Sequence, residues 1–242
     1  LGKILKIVPV APVYSVMAPF LTLADANTLI TPLKSHINQI LRVGSLVMVL
    51  VICLGCIAMF FWNQELRYQL PTPIPPQYQA VAVGQHVFLP ARFDKNRAHF
   101  IHFYNPECPC ARFNAQHLKT LIGQFKDSIS ISIIVPTPAD IKKAKSEFGD
   151  IIEITSDSEG TIAKACGVYS TPQAAIIDKK SSLYYRGNYN SSRYCTSRAT
   201  NFAELSLIAL INNNPSPSYG LLATQSYGCE LNDSSQVNFI SF

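Results

Sequence analysis

Residues 105–113 read NPECPCARF, so Cys108 and Cys110 stand one residue apart with Pro109 between them. Two thiols this close suit three kinds of chemistry: thiol–disulfide exchange, half of a metal site, or a structural bridge. The choice depends on what holds them. The residues before the pair (97–104, RAHFIHFY) read as a buried strand. The residues after it carry Phe113, Leu118, Leu121, Ile122 and Phe125 at helical spacing. The pair therefore belongs at a strand-to-helix junction. The first turn of a helix has unpaired N–H groups and a positive dipole end, which stabilise a thiolate and lower its pKa. Arg112, in the same turn, adds positive charge as a pKa-tuning residue. A low-pKa thiolate beside a second thiol is the minimum equipment for exchange. A bridge between positions i and i+2 would close a very small ring far from relaxed geometry, and strained bridges are easily reduced. The pair is expected to donate or shuffle disulfides more readily than to reduce them. A zinc site usually takes more ligands and a wider cysteine spacing. His102 and His117 are near in sequence, but strand and helix geometry need not bring them to the sulfurs, and no metal site is assigned.

The other cysteines divide by surroundings. Cys53 and Cys56 spell a C-x-x-C, but inside an uncharged apolar run, where they read as small hydrophobes. Cys166 falls on the core face of a short helix and reads as a buried free thiol. Cys195 and Cys229 flank the last helix in polar surroundings. They are expected to form a structural disulfide that pins the C-terminal tail, worth roughly 3–4 kcal/mol. The alternative makes Cys195 a third redox cysteine exchanging with Cys108.

The elements that must position these residues alternate. Strands are predicted at 97–104, at SISISIIVP, at IIEIT, at QAAIID and at LYYRGNY, the last two forming a hairpin around KKSS. Helices are predicted at 110–125, at TPADIKKAKSEFG, at SDSEGTIAKACGV ending on Gly167, and at TNFAELSLIALINN. The order β-α-β-α-β-α-β-β-α implies an α/β fold with a mostly parallel, helix-covered sheet and a hairpin at one side.

On these residues the chain resembles the thioredoxin-like superfamily. FIHFYNPECPCARF looks like that family's first strand and active-site turn, and DSEGTIAKACGVYSTPQAAIID looks like its later helix, cis-proline loop and next strand. The likeness spans roughly residues 80–212 and is strongest to membrane-tethered thioredoxin-like proteins of bacterial envelopes. It implies a thioredoxin-like fold, with a C-terminal hairpin and helices on both faces, preceded by one transmembrane helix. It implies a cis Pro172 facing the cysteines, with Thr171 offering backbone groups to an extended substrate peptide. It implies that Cys108 is the exposed attacking thiol and Cys110 the resolving one. It calls for no cofactor. The sequence departs from the family at one point: the usual spacing is Cys-x-x-Cys, and aligned on Pro109-Cys110, Glu107 falls where the first cysteine belongs. Peroxiredoxins share this fold, but the hydroxyl residue three positions before their cysteine is Asn105 or Glu107 here, so that reading is rejected. A phosphate-cradling glycine loop and a nucleophile-elbow serine are also missing from the sequence.

Composition adds the setting. Of 242 residues, 48% are hydrophobic and only 14% charged, which suggests that part of the chain is not in water. Residues 43–62 are uncharged and end at Trp62, a length and a border that suit a transmembrane helix. Lys34 and Arg42 precede it, against Arg67 offset by Glu65 after it, so the positive side places the N-terminus in the cytoplasm and the bulk outside. NTLITPLKSHINQILR reads as a short amphipathic helix on the membrane surface. The expected organisation is a cytoplasmic segment at 1–42, which begins with Leu and holds an alternative start at Met17. A transmembrane helix at 43–62, a Pro-rich linker at 63–78, a thioredoxin-like domain at 79–214 and a tail at 215–242 follow. PTPIPPQY in the linker favours a polyproline II stalk. The net charge of +5 is too mild for nucleic-acid binding. The expected protein is a bacterial inner-membrane thiol–disulfide oxidoreductase or isomerase with its domain in the periplasm. Its partners would be cysteine-containing envelope proteins and a redox partner. A redox-silent protein-binding module and a copper-delivery protein are the alternatives.

Overall fold

The computed structural model describes residues 23–192 and 194–231. The chain falls into two compact units, Leu1–Phe60 and Phe61–Phe242. Helix α1 (Leu23–Gln64) is continuous, where a separate surface helix before a span at 43–62 was expected. From Lys34 to Gln64 its mean hydropathy reaches 2.7, and the apolar side chains of this stretch are exposed. It is the one helix among the described residues that is long and apolar enough to cross a membrane.

The remainder is built on a five-stranded sheet of order β3-β2-β1-β5-β6. The strands are β1 (His99–Phe103), β2 (Ser130–Val135), β3 (Glu153–Ser156), β5 (Gln173–Ile177) and β6 (Leu183–Gly187). β1, β2 and β3 run parallel, β5 runs against β1, and β6 turns back beside β5. Four of the five strands thus share a direction. Every residue of central β1 is buried, the two histidines of its HFIHF sequence included. Its side chains alternate between two cores. Phe100 joins the core with Leu118 and Leu121 of α2 (Pro109–Phe125), Ala144 of α3 (Asp140–Phe148), and Phe202 and Leu207 of α5 (Phe202–Ile211). Ile101 and Phe103 join the other core, with Ile162 and Cys166 of α4 (Thr161–Cys166), Val87 and Phe93. This is the thioredoxin-like fold, an α/β sheet covered by helices on both faces.

Helix ends follow local chemistry. α4 stops at Gly167, whose φ of 66° is the left-handed conformation that closes helices. α3 begins at Asp140, three residues after the expected Thr cap. The reason is that Thr137 donates both its N–H and its hydroxyl to the Asp140 carboxylate, at 3.2 and 2.6 Å, and so is spent in the preceding turn.

Three short elements, β4 (Ser170–Thr171), α6 (Leu221–Thr224) and β7 (Cys229–Glu230), have no counterpart in the sequence reading. β4 and β7 form a separate antiparallel pair, with Thr171 opposite Cys229. α6 precedes β7 and packs on β6. The approach is close at Gly187, where a Cβ would stand 2.1 Å from the Ala223 carbonyl oxygen. Asn188 fastens the same arm, its amide donating to the carbonyls of Leu222 at 2.9 Å and Gln225 at 2.6 Å. Residues 215–231, expected as a tail, are therefore part of the domain. The residues beyond 231 lie outside the described ones. The expected proline-rich stalk is also attached to the domain. Thr72 N–H donates to Ser226 O at 2.9 Å, Pro71 bridges Tyr227, and Tyr78 hydroxyl donates to Gly167 O at 3.0 Å. A polyproline II backbone has no internal hydrogen bonds, so its free N–H and C=O groups can pair with a neighbouring edge.

Candidate functional site

Cys108 is the N-cap of α2 and Pro109 its first residue. Proline suits that position because its missing N–H would be unpaired there anyway. The turn that precedes the helix is tied down from both ends. Cys108 N–H donates to Asn105 O at 3.0 Å, and Glu107 N–H to the Asn105 side chain at 2.9 Å. The Thr171-Pro172 peptide bond is cis, as the resemblance implies. The Thr171 hydroxyl donates to Phe103 O at 3.0 Å and accepts from Asn105 N–H at 3.2 Å, which fastens the proline loop to the end of β1. Cys108 Sγ then lies 3.6 Å from Thr171 O. The structure thus brings Cys108, Thr171 and Pro172 together.

It does not bring Cys108 and Cys110 into one bond. Cys108 is bonded to Cys229 in β7, with Cα atoms 6.0 Å apart. Cys229 pairs with Cys108 and not with Cys195, because β7 adds to β4 and carries residue 229 to the helix start. Cys110 is buried and lies outside this disulfide. Successive helical residues turn by about 100°, so positions i and i+2 point to different sides. Cys108 faces the β4–β7 pair, while Cys110 faces a cavity of about 410 Å³ lined also by Asn114, Pro172, Tyr189, Cys195 and Gly228. The exposed attacking thiol expected at Cys108 is instead 2% exposed, covered by β7.

Cys195 sits on that cavity. Its thiol donates to Asn114 Oδ1 at 3.1 Å, and burial pushes its pKa up to about 12. It stays protonated at neutral pH, which gives it none of the activation a third redox cysteine needs. Cys166 is likewise buried, its pKa pushed up to about 12 by desolvation first and the Asp157 charge second. Arg112 is exposed, and its charge acts on Tyr104, where it opposes the upward push of burial and of Glu147. Glu107 is exposed and ion-paired with Lys143. Beneath the site, burial lowers the His102 pKa to about 3, so the ring is neutral and meets the Tyr189 hydroxyl at 2.8 Å. Among the described residues no group of three His, Cys, Asp or Glu side chains is placed to hold a metal ion.

The residue that sequence reasoning missed as a member of the site is Cys229. The available signal was the odd count of five cysteines outside residues 43–62, but a partner 121 residues away cannot be read from spacing.

Residues 78–230 match the family described as Domain of unknown function (DUF6436). The chain belongs to this family. The matched DUF6436 region includes Cys108, Cys110, Thr171, Pro172, Cys195 and Cys229. None of the curated proteins matches the chain. Among solved structures, it is similar to an uncharacterized conserved protein from Geobacillus kaustophilus, at 20% identity and a TM-score of 0.54, over 68% of this chain and 99% of that one. A hypothetical protein from Sinorhizobium meliloti 1021 is similar at 18% identity and the same TM-score of 0.54, over 65% of this chain and 98% of that one. At these identities the likeness concerns the fold. The thioredoxin domain of a thiol-disulfide oxidoreductase from Bacteroides vulgatus aligns at 15% identity over 48% of this chain and 96% of that one, with a TM-score of 0.38.

Proposed function

We propose that the protein is a membrane-anchored thiol–disulfide oxidoreductase in which Cys108 is the reacting sulfur. The observation that carries this is the Cys108–Cys229 disulfide at the start of α2, laid against the Thr171-Pro172 loop. In the reduced protein the Cys108 thiolate attacks a substrate disulfide. One substrate thiolate leaves, and Cys108 holds the other half as a mixed disulfide. A second protein thiol then attacks the Cys108 sulfur, expels the remaining substrate thiolate and leaves the protein oxidised by two electrons. Cys229 is the bonded partner in the structure, so it takes the resolving part expected of Cys110. Thr171 pairs with the substrate backbone. The reverse sequence oxidises a substrate dithiol. The apolar helix from Lys34 to Gln64, with Lys34 and Arg42 at its start, supports a bacterial inner-membrane anchor with the domain in the periplasm and cysteine-containing envelope proteins as substrates.

The test is a redox titration of the full chain in detergent micelles across glutathione buffers. The exchange reading expects a reversible two-electron couple that disappears in Cys108→Ser and in Cys229→Ser and survives in Cys110→Ala. Loss of the couple in Cys110→Ala alone would return the role to the Cys108-Pro109-Cys110 pair. One observation favours a second reading, a redox-silent binding module: Cys108 and Cys229 are only 2% and 4% exposed. A bridge that resists every buffer, with partner capture intact, would select it.

A further inference from the structure

The β7 segment stands apart from the five-stranded sheet. It is a two-residue strand outside the main sheet, gripped along both edges. On one side lies β4, with Thr171 opposite Cys229 and Ser170 opposite Glu230, continued by Leu231 N–H donating to Tyr169 O at 3.0 Å. On the other side lie Pro71, bridged to Tyr227, and Thr72. Thr72 N–H donates to Ser226 O at 2.9 Å and its hydroxyl to Gly228 O at 3.2 Å. At the near end the Gln173 amide donates to Ser226 Oγ at 2.8 Å, and at the far end Leu231 is buried in the core with Phe103 and Ile162. The extended run 226–231 is therefore held as an added strand with its cysteine delivered to Cys108.

We propose that the slot between Thr72 and β4 is a receptor for an extended peptide carrying Gly-Cys, filled in the oxidised chain by its own Gly228 and Cys229 and vacated on reduction. This deepens the exchange reading and rests on it. The glycine is set by geometry: a Cβ at Gly228 would stand 2.4 Å from the Thr171 carbonyl oxygen and 3.3 Å from its carbon, both backbone atoms that cannot swing aside. The φ of Gly228 is +119°, in the region that side-chain-bearing residues avoid. The residue before the incoming cysteine must therefore lack a side chain. A dithiol reductant opens the slot: it loses two electrons and closes to its own disulfide, and Cys108 and Cys229 each gain a proton. An external peptide disulfide then meets the Cys108 thiolate, the Cys108–peptide bond forms, the peptide's former partner leaves as a thiolate, and Cys229 afterwards displaces the peptide as it re-forms its own bond.

The test uses the full-length chain in micelles as Cys229→Ser, which leaves the slot without its covalent occupant. The probes are the peptides Ser-Tyr-Gly-Cys-Glu-Leu and Ser-Tyr-Ala-Cys-Glu-Leu, each as its mixed disulfide with glutathione. Adducts at Cys108 are read by intact mass. The glycine peptide is expected to form its adduct at least about tenfold faster than the alanine peptide, while glutathione adducts form equally from both. Equal peptide rates overturn the slot and leave the exchange reading standing. No adduct of any kind at Cys108 overturns both. Gly228→Ala, with all cysteines kept, checks the same point if Cys229→Ser does not fold. Its Cys108–Cys229 bond is expected to form about tenfold less favourably in a fixed glutathione buffer, and an unchanged oxidised fraction overturns the proposal. Thr72→Pro removes the N–H that faces Ser226. It is expected to slow glycine-peptide capture several-fold, and an unchanged rate overturns the two-edged slot.

Discussion

Cys108 and Cys110 are separated by one residue and live in different chemistry. Cys108 is bonded to Cys229 beside β4. Cys110 faces a cavity shared with Asn114 and Cys195, whose thiol is held protonated by burial. Nearness in sequence is a poor guide at a helix start. Once Pro109 begins α2, residues two apart turn to opposite sides, and what each sulfur meets is decided by other parts of the chain. A Cys-x-x-Cys spacing would put both sulfurs on one face; Cys-x-Cys recruits a third party instead.

The contrast can be broken most forcefully through Cys229. Cys229→Ser removes a bridge spanning 121 residues, and the expected loss is about 3–5 kcal/mol in denaturant unfolding. Adding reductant to the unmutated chain should cost a similar amount, whereas Cys110→Ala should leave the bridge intact. A Cys110→Ala protein lacking the bridge would erase the distinction between the two sulfurs. Next in size is a pH effect on the Cys110 face. The His102 pKa falls from 6.5 when unfolded to about 3 when folded, because burial disfavours its charged form. Stability present above pH 6.5 is then lost as pH falls toward 3, by on the order of a few kcal/mol. Unfolding measured across that window should flatten in His102→Phe, and an unchanged slope would remove His102 from the account.

Gly187→Ala sharpens the other side. Its Cβ would press on the Ala223 carbonyl, and overpacking of this kind costs about 1–3 kcal/mol. Hydrogen exchange should report it as faster exchange over residues 221–230, with β1 unchanged. The smallest effect is expected at Glu107. Its ion pair with Lys143 is more than half exposed on both partners, so Glu107→Ala should change stability by less than about 1 kcal/mol and leave the Cys108–Cys229 bond formed. A large effect would mean that Glu107 supports the helix start in a way its exposure does not suggest.

Much of the scaffold was legible from residue pattern. β1, β2, β5 and β6 are short stretches rich in apolar and aromatic residues and bounded by turn residues, and α2 shows its buried face at helical spacing. Thr171-Pro172 was legible only by resemblance. β4 and β7 were not legible, since two-residue strands carry no periodicity and their pairing joins residues far apart in sequence. The partner of Cys108 went with them. The divergence of Cys108 and Cys110 was in principle readable, because a proline at the first helical position fixes where the turn of 100° per residue begins.

The bridge from residue 108 to residue 229 closes a covalent ring around nearly the whole sheet, from α2 through β6 to the final arm. A protease that cuts any loop within this ring makes a nick and no fragment. The severed pieces travel as one band on a gel until a thiol is added, and only then do they separate.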